Sequence, residues 1–112
     1  MRSMQNPSSP AHDISEDNRF AEMLKAVGHP VRLRIVRELV DKNSRCCGEM
    51  CNCFDLSQST ISQHLSVLKA AGIVSLDKVG TRSCYSVRAE ALEFIEAETH
   101  KLLGAARAGK HD

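Results

Sequence analysis

Tryptophan is missing from this chain, tyrosine occurs once and phenylalanine three times. A core built from it must therefore be aliphatic. No apolar run approaches the roughly eighteen residues that a membrane span requires, so no membrane partner is expected. Residues Met1 to Asp13 carry no apolar stretch of the kind that heads a secretory signal, and a cytoplasmic protein is the expectation. Neither charge sign dominates, with 15 Lys and Arg against 14 Asp and Glu. No Gly-rich phosphate loop and no His–carboxylate pairing stands out, so an enzyme is not expected. A length of 112 residues leaves room for one domain and a modest core.

What the chain does have is unevenly placed. Residues 58–88 hold Lys69, Lys78, Arg82 and Arg88 against Asp77 alone, whereas residues 89–112 are net acidic. A locally basic stretch is where a nucleic-acid footprint is sought. Cysteine is clustered too: four of the five, Cys46, Cys47, Cys51 and Cys53, fall within eight residues, and Cys84 stands apart. An odd count without an export signal argues against a disulfide framework. The cluster points instead to soft-metal or redox chemistry.

Hydrophobic periodicity divides the chain into an arm over 1–12, a domain over 13–104 and a frayed tail over 105–112. The first helix carries Phe20, Met23, Leu24 and Val27 and ends at Gly28. Pro30 suits the first turn of a second helix, with Val31, Ile35, Val36, Leu39 and Val40 inward and Arg32, Arg34 and Arg37 solvated. A short third helix over 47–54 places Cys47, Met50, Cys51 and Phe54 on one face. Asp55-Leu56 turns the chain, and Ser57 caps a fourth helix that runs from Gln58 to Ala71 and stops at Gly72. Strands over 73–79 and 82–87 meet at Gly80-Thr81. A last helix over 89–103 carries Leu92, Ile95, Thr99 and Leu102 in one stripe. The fold class is mainly α with a small β-hairpin: a winged helix-turn-helix.

On the fourth helix Ile61, Leu65 and Leu68 point inward, leaving Ser59, Ser62, Gln63 and Ser66 opposite. Gln pairs bidentately with an adenine edge, and Ser bonds a base or a phosphate. No carboxylate interrupts residues 56–76. The candidate DNA contacts are Gln58, Ser59, Thr60, Ser62, Gln63, His64, Ser66 and Lys69, with Lys78 and Arg82 gripping phosphates from the hairpin. The blander reading is an ordinary polar face with surface lysines, and His64, at the border of that face, is a packing residue or a phosphate contact.

The stretches AVGHPVRLRIVRELV, LSQSTISQHLSVLKAAGIV and GTRSCYSV resemble the ArsR/SmtB family of winged-helix metalloregulators, from about Phe20 to Leu103. The resemblance implies a homodimer joined through the first and last helices, double-stranded palindromic operator DNA as partner, and repression relieved by a metal or metalloid. Its arsenic-type cysteine pattern places Cys46 and Cys51 at two of three ligand positions; the third is Gly48 here, and neighbouring Cys47 can substitute. Its zinc-type site on the last helix is absent, because the opening positions are Ala89 and Ala91.

Cys46, Cys47 and Cys51 are thus the candidate metal ligands, with Cys53 and Cys84 secondary. Thiolates select soft ions, and trivalent arsenic or antimony is the expected effector. Cys53 lies on the far side of its helix from Cys51, and Cys84 is expected to lie far from the cluster within one subunit. Small buried core residues are the plain alternative for Cys47 and Cys51. A thiol redox sensor on the same fold and a winged-helix protein-interaction module are the rival functions. The cysteine spacing is not that of a zinc finger or ribbon.

Overall fold

The computed structural model describes residues 14–42 and 45–109, and for residues 45–48 the backbone alone. The arm assigned to residues 1–12 lies outside the described residues. The order is α1 (Ile14–Val27), α2 (Pro30–Lys42), β1 (Arg45–Cys46), α3 (Cys47–Phe54), α4 (Gln58–Ala70), β2 (Val74–Val79), β3 (Arg82–Val87) and α5 (Ala89–Gly109). This is the winged helix-turn-helix expected from the periodicity.

Each helix contributes aliphatic side chains to one core. Met23 of α1, Ile35 and Leu39 of α2, Met50 of α3 and Ile61, Leu65 and Leu68 of α4 are all fully buried. Ile73 and Val74 close it at the start of the wing. Burying each large aliphatic side chain stabilises the fold by about 1.5–3 kcal/mol. This aliphatic core does the work that aromatic residues do in richer sequences. The main aromatic contact, an edge-to-face pair of Phe20 and Phe94 with centroids 6.3 Å apart, ties α1 to α5.

Local signals set the helix ends as anticipated. Ser57 is extended, and its Oγ accepts a hydrogen bond from the Thr60 backbone N–H at 3.2 Å. At the other end of α4, Gly72 has φ of +80° and lets the chain leave the helix. Gly80, at φ +66°, turns the hairpin, and Asp55 takes φ of 55° in the α3–α4 turn.

Several faces differ from the sequence reading. The buried stripe of α1 is Phe20, Met23 and Ala26, leaving Leu24 exposed, because α1 packs on α2, α4 and α5 at once. Val40 is exposed rather than inward. Arg32 is half-buried rather than solvated, because its Nε donates to the Ala26 carbonyl at the end of α1. The inward face of α5 is Ala91, Phe94 and Ile95, and Leu102 is 60% exposed. That helix also continues past Gly104 to Gly109, as Ala105, Ala106 and Arg107 are strong helix formers. The tail over 105–112 therefore begins as helix.

Strand β1 was not anticipated. Its two residues pair antiparallel with β3, giving a three-stranded sheet of order β1-β3-β2. Two residues have no periodicity to read, and pairing with a strand almost forty positions later is a tertiary event.

Candidate nucleic-acid interface and cysteine cluster

Helix α4 presents its polar residues as expected. Gln58, Ser59, Gln63, Ser66 and Lys69 are exposed, while Thr60 and Ser62 are half-buried. The inward Ile61, Leu65 and Leu68 fix the rotation of the helix, so the opposite face is held outward by the core itself. Thr60 has a capping duty: its Oγ1 accepts from the Ser57 hydroxyl at 2.9 Å. Ser57 Oγ also lies 3.3 Å from Ser59 Oγ. The start of α4 is thus a hydroxyl network as well as a candidate contact surface.

His64 is half-buried. Its ring lies 4.7 Å from that of His29, centroid to centroid, and its Nδ1 is 3.4 Å from an Arg32 guanidinium nitrogen. His29 in turn accepts the Val31 backbone N–H on its Nδ1 at 3.0 Å, capping the first turn of α2. Burial, then the neighbouring His29 and Arg32, hold the His64 pKa below its ordinary value. His64 thus packs against His29 and Arg32 where α4 meets the start of α2. His29, which the sequence reading did not single out, and Arg32, which it placed in solvent, surround it; the GHP segment before α2 was the available signal.

The two wing candidates flank the hairpin turn. Lys78 Nζ donates to Ser83 Oγ at 3.1 Å. An Arg82 guanidinium nitrogen lies 3.8 Å from a Glu49 carboxylate oxygen, with both side chains well exposed. An exposed pair of this kind contributes little stability, so Arg82 remains available to a phosphate.

The cysteines converge through backbone placement. Cys46 ends β1, Cys47 opens α3, and Cys51 sits on α3, half-buried and outside any disulfide. The side chains of Cys46 and Cys47 lie outside the described residues, so their part in a ligand set is carried by backbone position. Cys53 is exposed and free, with its Sγ 3.7 Å from a Glu38 carboxylate oxygen on α2. Cys84 does not lie far from the cluster. Its Cα is the direct partner of Cys46 in the β1–β3 register, and it is disulfide-bonded. Both expectations for Cys84, isolation and a reduced thiol, are corrected by the strand pairing that sequence periodicity missed. Among the described residues no group of three or more His, Cys, Asp or Glu side chains is placed to hold a metal.

No described helix is long and apolar enough to cross a membrane. The profile of the arsR family of bacterial regulatory proteins matches residues 29–75, from the start of α2 into the wing. An HTH-type transcriptional regulator of Methanocaldococcus jannaschii is 42% identical over 69 residues, 62% of this chain and 78% of that protein. The transcriptional repressor SmtB of Mycobacterium tuberculosis is 35% identical over 79 residues, 70% of this chain but 56% of its own length. Among solved structures, a possible transcriptional regulator for arsenical resistance superposes with a TM-score of 0.67 at 30% identity. That alignment covers 72% of this chain and 83% of the other. A reader helix fixed by the core, a wing carrying exposed cations and these relatives agree: the chain belongs to the ArsR/SmtB family, a DNA-binding transcriptional repressor and not an enzyme.

Proposed function

We propose that the protein is a cytoplasmic, homodimeric repressor of a metalloid-resistance operon, released from a palindromic operator when trivalent arsenic or antimony binds Cys46, Cys47 and Cys51. The observation that carries this reading is the position of the cluster. Cys46 and Cys47 occupy the β1–α3 junction, and α3 packs directly on α4. A change in the first turn of α3 is transmitted to the reader helix through buried Met50 and the α4 core face.

The donor set fits the effector. Arsenous acid exchanges three As–O bonds for three As–S bonds, three thiols each giving a proton and three waters leaving. No electron transfer is needed. Thiolates are the ligands that select such an ion over zinc-type or hard cations. A 100-fold loss of operator affinity requires about 2.7 kcal/mol of coupling, which a few metalloid–sulfur bonds exceed. The arsenical-resistance regulator with the same fold supports the choice of arsenic.

Dimerisation through α1 and α5 is supported by exposed apolar side chains on both helices. Ile14 and Leu24 on α1, and Leu102 and Leu103 on α5, stand in solvent in the single chain. Two copies present two reader helices to two half-sites.

The experiment is a gel shift on a palindromic operator with arsenite, antimonite, cadmium, zinc and peroxide titrated separately into reduced protein. Arsenite and antimonite release DNA, and Cys51→Ser blunts that release. Release by peroxide alone would remove the metalloid from the account, and undetectable operator binding at low salt would favour a protein-interaction module.

A further inference from the structure

Cys84 carries a bridge that the repressor reading does not use. Neither Cys51 nor Cys53 is in a disulfide, whereas Cys84 is disulfide-bonded. The chain has five cysteines, so within one chain the partner is Cys46 or Cys47. The register decides between them: Cys46 stands directly across from Cys84 on the β1–β3 ladder, whereas Cys47 opens α3 and holds no rung. Opposed residues of an antiparallel pair have Cα atoms roughly 4.5–5.5 Å apart and share one face of the sheet. Disulfides span Cα separations of about 4.4–6.8 Å. The backbone therefore meets the requirement of a cross-strand bridge without rearrangement.

We propose that Cys46 and Cys84 form a dithiol–disulfide couple across the β1–β3 ladder, and that its oxidation state decides whether the cysteine cluster can accept a thiophilic ion. The gating half rests on the metalloid reading above; the couple itself does not. Oxidised, Cys46 has no thiolate to offer, and the strand leading into α3 is stapled to the inner strand of the wing. Reduced, the pair returns the Cys46 thiolate to the set it forms with Cys47 and Cys51.

The oxidant class is a low-molecular-weight disulfide. One protein thiolate attacks it, forming a mixed disulfide and expelling one small thiolate. The second protein thiolate then attacks the mixed disulfide and expels the other. The protein dithiol loses two electrons and two protons, and the small disulfide is reduced to two thiols. Excess dithiothreitol runs the exchange backwards.

The test uses the full chain treated with oxidised glutathione. Digestion after Arg and Lys together with cleavage after Glu separates residues 46–49 from Cys51 and Cys53, and releases residues 83–88. A non-reducing mass spectrum is expected to show these two peptides joined in wild type and in Cys47→Ser, and not in Cys46→Ser or Cys84→Ser. Operator-bound oxidised protein is expected to need at least tenfold more arsenite for release than reduced protein, with dithiothreitol restoring the response. Under the same oxidant Cys84→Ser keeps the response of reduced protein. A bridge to Cys47, or one linking Cys51 to Cys53, overturns the couple. Equal arsenite response of oxidised and reduced wild type overturns the gate. Reduced wild type that ignores arsenite sinks the metalloid reading and the gate together, while the peptide map still decides the couple.

Discussion

Helix α4 and the β1–α3 junction are neighbours with opposite origins. The reader helix is specified by its own sequence: a serine cap, an inward stripe of Ile61, Leu65 and Leu68, and Gly72 at its end. The junction is specified by pairing at a distance, since two residues of β1 become strand only because β3 lies beside them. The first region takes its shape from buried aliphatic side chains; the second takes its shape from a two-residue ladder.

The largest way to break this contrast is to hollow out the anchor of α4. Leu65→Ala is expected to cost about 2–5 kcal/mol of folding stability, read as the shift in urea midpoint. The equally apolar but exposed Val67 should cost under about 1 kcal/mol when truncated. Next in size is Gln63→Ala, which leaves the fold intact and loses about 1–3 kcal/mol of operator affinity at one base pair. Competition against operators altered at single positions identifies that pair. The cap comes after it: Ser57→Ala should lower stability by about 1 kcal/mol, with helix content and operator affinity falling together. Arg82→Ala removes a wing cation together with its exposed pairing to Glu49. It should weaken binding to all sequences alike and reduce the salt dependence by about one phosphate contact, measured by anisotropy against salt concentration.

The smallest effect concerns His64. Its folded pKa lies below the unfolded value, chiefly through burial, so the unfolded chain binds the proton more readily. Stability is full above the unfolded value, near 6.5, and falls as pH drops through the window down to the folded pKa. Removing a neighbouring positive charge with His29→Gln should raise the His64 titration midpoint, followed by ring-proton NMR. A His64 that titrates above the ordinary histidine value in wild type contradicts this placement.

These contrasts also explain what the sequence could tell. The four longer helices, the third helix over 47–54, the hairpin and the polar face of α4 follow local rules of spacing, caps and turns, and all were legible. Arg32 was read as solvated because its helix position is peripheral; the carbonyl of Ala26 that captures it belongs to another element. Val40 neighbours a true stripe, yet among the described residues it stays exposed. Cys84 was read as remote because strand β1 is too short to announce itself. For Arg32 and Cys84 the deciding neighbour belongs to another element.

One exposed ion pair has a meaning for how the protein meets its operator. Glu49, at the first turn of α3, holds the Arg82 guanidinium within 3.8 Å in the absence of DNA. A carboxylate and a phosphate offer the arginine the same kind of anionic oxygen. An Arg82 that passed to a phosphate would leave this pairing, so one arginine links the wing's expected anion contact to the helix that carries Cys51.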